Sequence, residues 1–147
     1  MDGRLQSLSL LASLAVIGGG NAQTITDGDA LKQGGVTYRL WGIDAPEAKQ
    51  VCADGWPAGS LAATRLQALT AGRSIVCQEK DRDRYGRIVA ICRASGEDLG
   101  ATMVREGLGW AFVRYSSDYV GQEAALVPMP NWNLNTPFKM GGKVGTP

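Results

Sequence analysis

The 147-residue chain contains no histidine. That removes the commonest general base, a serine-protease type of triad and the usual zinc sites, all of which depend on imidazole. Nor is there an excess of charge of either sign, since 15 lysines and arginines face 14 aspartates and glutamates. No global basic field advertises nucleic acid, so any phosphate binding must come from local clusters. Cysteine is scarce: Cys52, Cys77 and Cys92 match no metal-site spacing, and without histidine a cysteine protease is not expected. The apolar run from Leu8 to Ile17 covers ten residues, too short to span a bilayer as a helix. Chemistry must therefore run on carboxylates, arginines, tyrosines or cysteines.

What is present fits one domain with a real core. An apolar content of 44% and only 20% charged residues argue against disorder. Residues 1–22 read as an export signal: the short apolar run is followed by Gly20-Asn21-Ala22, a small-x-small cleavage pattern that places the mature start near Gln23. The alternative is an N-terminal core helix. The expectation is an exported protein, periplasmic or secreted, monomeric and without membrane attachment in its mature form. Residues 23–127 form the domain, and 128–147, rich in Pro, Gly, Asn and Thr, form an irregular tail.

The pattern predicts a strand at Thr24 to Thr26, then strand, Gly34-Gly35 turn and strand between Ala30 and Leu40. A loop follows through Trp56, and Pro57 opens a helix to about Ala71 with Leu61, Ala62, Leu66 and Leu69 as its apolar stripe. Strands at Ser74 to Gln78 and Ile88 to Arg93 flank a charged connection. A second helix runs from Asp98 to Gly107 and buries Leu99, Met103 and Val104. Asp118 caps a third, which Pro128 and Pro130 stop within two turns. The non-alternating order favours α+β with a small antiparallel barrel.

The stretch from Asp27 to Glu47 carries the chemistry. Its hairpin folds Asp29 back beside the loop holding Asp44 and Glu47, with Arg39 between the acidic ends. Such carboxylates repel one another unless a cation sits among them. Two carboxylates with a loop carbonyl and waters suit Ca²⁺; the plain alternative is an ordinary turn and a surface loop. Arg39 and Arg87 would supply guanidinium forks for phosphate, or be an exposed strand residue and one charge in a solvated run. Trp41, Trp56, Trp110 and Trp132 form no basic–aromatic stripe and read as core or edge residues.

Four blocks, Asp27-Gly28-Asp29-Ala30, Arg39 to Glu47, Asp83 to Arg87 and Met103 to Gly109, closely resemble the staphylococcal nuclease (thermonuclease) family from about Thr24 to Glu123. The resemblance implies a five-stranded antiparallel OB-type β-barrel with two to three helices, the third truncated. It implies a Ca²⁺-dependent nuclease that cleaves DNA and RNA and leaves 3′-phosphate ends. By the same resemblance Asp29, Asp44 and the backbone carbonyl of Ala45 would be metal ligands, Glu47 the general base, and Arg39 and Arg87 the clamp on the scissile phosphate. Tyr85 and Tyr115 would lie at the nucleotide pocket, or simply pack at the barrel edge. Ala30 departs from the family's usual Thr or Ser, and the final helix is shorter than is usual. The competing reading is a non-catalytic barrel that binds nucleic acid or protein, or a destabilised relative.

Counting outward from the middle of residues 79–87 sets Cys77 nearly opposite Cys92 on antiparallel neighbours, compatible with a disulfide in an exported protein. The alternative is two small apolar residues in the barrel wall. Cys52 is left over.

Overall fold

The computed structural model describes residues 22–53 and 55–124. The segment expected to be an export signal (residues 1–22), all but its last residue, and the expected irregular tail (residues 128–147) lie outside that range.

Three strands open the fold, β1 (Thr24–Asp27), β2 (Ala30–Gln33) and β3 (Val36–Leu40). They follow each other antiparallel, and Gly34 and Gly35 make the β2–β3 turn with φ of 56° and 79°. Positive φ at both central residues gives a hairpin turn whose twist matches the strands it joins. A two-residue strand β4 (Ile43–Asp44) precedes the loop that leads to helix α1 (Ala58–Thr70). Pro57 stands just outside that helix. The buried side of α1 is Ala58, Gly59, Ala62, Leu66, Leu69 and Thr70, a helical repeat. Leu61, expected on that stripe, is 39% exposed because it sits one position off the repeat that Ala62 and Leu66 define.

Strand β5 (Ile75–Arg82) is longer than its apolar residues predict, because the charged run to Arg82 continues to pair with β6 (Ile88–Ala94). It is the edge of its sheet, where charged side chains discourage pairing with another chain. A bulge between Glu79 and Asp81 leaves Lys80 out of the ladder. Cys77 stands opposite Cys92 in register, and a disulfide joins them with Cα atoms 4.0 Å apart. The short β7 (Glu97–Asp98) then leads directly into α2 (Leu99–Arg105), where the Asp98 carboxylate caps the helix by accepting from the Ala101 N–H. β8 (Trp110–Ala111) pairs with β4, and α3 (Val120–Ala124) closes the described region.

The result is α+β with three helices, but the sheet is mixed. Its order is β1-β2-β3-β6-β5, and β3 runs parallel to β6. The expectation of a wholly antiparallel barrel is corrected at that point: α1 and β5 intervene between β3 and β6, so the chain returns to the sheet in the direction it left. Among the described residues no pairing closes the sheet into a barrel. The core lies between the sheet and the first two helices, with Leu31, Leu40, Leu66, Leu99, Met103 and Val104 all at most 1% exposed. Burying each of these contributes about 1.5–3 kcal/mol. Arg65 and Glu106 join α1 to α2 by a bidentate ion pair of 2.6 and 2.7 Å. Among the described residues no helix is long and apolar enough to cross a membrane.

Candidate active site

The β1–β2 turn and β4 meet across the side chain of Arg39. In β3, Arg39 pairs in register with Ala30, which follows Asp29 directly. Its Nη1 donates to Asp29 Oδ2 at 2.9 Å, and its Nη2 donates to Asp44 Oδ1 at 2.9 Å and to the Ile43 carbonyl at 3.4 Å. Asp29 Oδ2 also accepts from the Ala45 N–H at 3.1 Å, and the Asp29 carbonyl accepts from Leu40 N at 2.8 Å. Asp29, Arg39, Asp44 and Ala45 are thus brought together, with a guanidinium as the cation between the carboxylates.

Asp29 is 3% exposed. Burial pushes its carboxyl up to about 6, only partly offset by Arg39 and the Ala45 N–H, while Asp44 and Asp27 add repulsion. For Arg39 the balance runs the other way. Its burial favours the neutral form, yet the two carboxylates outweigh that and hold its proton more tightly than usual. The difference follows exposure, since 21% of the Arg39 side chain meets water against 5% for Asp29.

A pH prediction follows from the Asp29 shift. Its folded value of about 6 lies above the ordinary 3.8. The stability it contributes is therefore fully present below about pH 3.8 and lost as pH rises through about 6. Asp29→Asn cannot ionise and escapes that loss. With divalent ions chelated, the stability of the variant relative to wild type should improve between pH 4 and pH 7 by on the order of 2–3 kcal/mol. Denaturant melts across that range check it, and a flat or falling difference refutes it.

Glu47 lies three residues beyond Asp44 and is exposed. Its carboxylate makes no hydrogen bond or ion pair with the described residues. The loop around it is held through backbone atoms instead: Glu47 N donates to Gln50 Oε1 at 3.1 Å, Gln50 N to the Glu47 carbonyl at 2.7 Å, and Ala48 N to Asp27 Oδ1 at 2.8 Å. Asp27 therefore ties the loop down, which accounts for the second acid of the Asp27-Gly28-Asp29 turn. Two glycines allow the loop to sit close. A Cβ on Gly28 would lie 2.6 Å from Ala62 Cβ and 3.0 Å from Ala45 Cβ, and one on Gly59 would lie 1.7 Å from the Glu47 carbonyl oxygen. Neither close approach is visible in the sequence.

Arg87 precedes β6. In the parallel pair Arg39 is matched with Val89, so the two-residue alternation of a strand carries Arg87 to the face that Arg39 occupies. Its Nε donates to Asp83 Oδ2 at 2.6 Å, and its guanidinium carbon lies 5.5 Å from the centre of the Tyr85 ring. Burial works against the Asp83 carboxylate, but hydrogen bonds from the Arg87 side chain and from the Arg87 and Tyr85 backbones hold it below the usual carboxylate range. Tyr85 is exposed, and Arg84 donates to its hydroxyl at 2.8 Å. Tyr115, also exposed, has its ring against Phe112 at 4.9 Å rather than against Tyr85. Sequence reasoning placed Asp83 at the head of the Asp83 to Arg87 block but gave it no role; the spacing of four residues before Arg87 was the signal for the pair.

Among the described residues no group of three or more His, Cys, Asp or Glu side chains is placed to hold a metal ion. The acidic pair contributes two carboxylates, and the third expected donor is a backbone carbonyl.

Comparisons with known proteins bear on the same region. The chain is similar to a succinoglycan biosynthesis protein, ExoI, of Rhizobium meliloti (strain 1021), 38% identical over 90 residues, which cover 57% of this chain and 47% of that protein. It is similar to an uncharacterized endonuclease of Escherichia coli, 32% identical over 106 residues, covering 69% and 65% respectively. A micrococcal nuclease of Shigella flexneri is 34% identical over 109 residues, covering 65% and 59%. The chain thus spans about half to two thirds of the length of these relatives. A family model described as staphylococcal nuclease homologue matches residues 37–129, a stretch that contains Arg39, Asp44, Glu47 and Arg87. The chain belongs to the staphylococcal nuclease homologue family.

Proposed function

We propose that this protein is a calcium-dependent nuclease that hydrolyses phosphodiester bonds of DNA or RNA and leaves 3′-phosphate ends. The observation that carries the reading is the Asp29–Arg39–Asp44 cluster, two carboxylates already drawn around a cation beside an exposed Glu47. Family membership and relatives named endonuclease and micrococcal nuclease support it.

The donor set suits calcium. Arg39 engages one oxygen of each carboxylate, leaving Asp29 Oδ1 and Asp44 Oδ2 without a hydrogen bond from the described residues. Those oxygens and the Ala45 carbonyl are the hard donors that a flexible oxygen-coordinated ion takes, with water and substrate completing the shell. When bound there, calcium supplies positive charge for the phosphoryl oxygens. The protein's own residues do the rest. Glu47, with no partner for its carboxylate among the described residues, orients a water and accepts its proton. Arg39 and Arg87 hold phosphate oxygens as charge develops on them, and neither loses its proton in doing so. Tyr85 and Tyr115 offer exposed rings on which bases stack without regard to sequence. The Cys77–Cys92 disulfide fits export to an oxidising compartment, where the mature protein acts as a soluble monomer.

The test is a cleavage assay on purified protein with single- and double-stranded DNA and with RNA, in calcium and in chelator. Cleavage confined to calcium, with ends that a polymerase extends only after phosphatase treatment, is the expected result. A folded protein that retains nucleic acid without cutting it in any divalent ion would replace this reading with the non-catalytic one.

A further inference from the structure

The charged end of β5 and the turn that joins it to β6 contain three arginines, Arg82, Arg84 and Arg87, and each is held differently. Arg82 spends Nε and Nη2 on the two carboxylate oxygens of Glu79, at 2.8 and 3.2 Å. Arg84 turns to the Tyr85 hydroxyl. Arg87 is held by Nε alone, at 2.6 Å from Asp83 Oδ2, so both of its Nη groups are left without a hydrogen-bond acceptor among the described residues.

The cause lies in Asp83. Its Oδ1 is committed to the backbone, accepting the Tyr85 N–H at 2.9 Å and the Arg87 N–H at 3.0 Å. The turn is closed further by Asp83 N donating to the Arg87 carbonyl at 3.1 Å and Gly86 N to the Asp83 carbonyl at 3.0 Å. With Oδ1 so occupied, Asp83 cannot take the two-pronged grip that Glu79 has on Arg82. It can fix the guanidinium by one edge only. The pair of Nη groups that remains is the pair suited to gripping two oxygens of one phosphate. The Tyr85 ring limits the same guanidinium from one side.

Resting on the nuclease reading above, we propose that Asp83 is a positioning residue: it orients Arg87 through Nε and keeps both Nη groups available to the scissile phosphate. Holding a long side chain in place before substrate arrives removes an ordering cost from the reaction itself.

Asp83→Asn separates this role from mere turn formation. An asparagine has one acceptor oxygen, so it can serve the backbone N–H groups or the guanidinium but not both. Two measurements decide the matter. In wild type, the Arg87 Nε–H should give a slowly exchanging NMR signal that Asp83→Asn loses while the melting temperature holds; a fast-exchanging Nε–H in wild type overturns the proposal. In kinetics, Asp83→Asn should lower kcat by about 10- to 100-fold with KM little changed. In an Arg87→Ala background the same change should cost nothing further, because Asp83 acts through Arg87. A further loss of equal size there would make Asp83 a structural residue only. An active wild type whose Asp83→Asn variant keeps its turnover sinks the positioning role alone, whereas an inactive wild type sinks the nuclease reading.

Discussion

Glu47→Gln should lower turnover by about 10²- to 10⁴-fold, the range that a positioned general base commands. Nucleic-acid affinity and melting temperature should stay close to wild type. The selectivity of that outcome follows from how the loop is built. Its contacts through Glu47 use the backbone, with Glu47 N donating to Gln50 and the Glu47 carbonyl accepting from Gln50 N. The side chain is exposed and makes no hydrogen bond among the described residues, so replacing it with an amide of the same shape leaves the loop where it is. The amide cannot take a proton from water. Single-turnover rates with saturating nucleic acid and calcium isolate the chemical step. A variant retaining near-normal rates would remove Glu47 from that step and shift the search for a base to another group.

Much of the frame was legible because it rests on local rules. The β2–β3 hairpin followed from a Gly-Gly pair between alternating residues, α1 from its apolar repeat and flanking Pro57, and α2 from Asp98 ahead of Leu99, Met103 and Val104. What was not legible depends on neighbours distant in sequence. The extension of β5 through Glu79 to Arg82 contradicts strand propensity and exists because β6 lies alongside. The parallel pairing of β3 with β6 reflects the path through α1, which no residue of either strand records.

The site divides along the same line. That Asp29, Arg39 and Asp44 converge could be read from one hairpin and the loop after it. That Arg39 holds both carboxylates together could not, because an arginine on a strand faces phosphate and carboxylate equally well in sequence. The role of Asp83 was hidden for another reason. In a run of alternating charges each acid has several plausible arginines, and only the turn at Gly86 selects Arg87.

Gly59→Ala should disturb both fold and chemistry, although Gly59 carries no functional group and alanine is the better helix former. An added Cβ would stand 1.7 Å from the Glu47 carbonyl oxygen, 2.7 Å from the Glu47 carbonyl carbon and 2.9 Å from the Ala48 carbonyl carbon. All three are backbone atoms, so no side chain can swing aside to make room. The same approach is pinned by Gly59 N donating to the Gln50 carbonyl at 2.9 Å. Either the first turn of α1 or the Glu47 loop must move by more than an ångström. Overpacking of this kind costs about 1–3 kcal/mol, and displacing a catalytic group by about 1 Å can cost about 10²-fold in rate. The helix-propensity gain of up to about 1 kcal/mol is too small to compensate. Gly121→Ala in α3 serves as the control, since its Cβ meets nothing within 4 Å and its φ is ordinary. Denaturant melts should show Gly59→Ala destabilised and Gly121→Ala neutral or improved, with turnover below the melting temperature reduced only in the former. If Gly59→Ala matched wild type in both measurements, the loop would not be seated against α1 as closely as the structure has it, and the rigid placement of Glu47 would have to come from elsewhere.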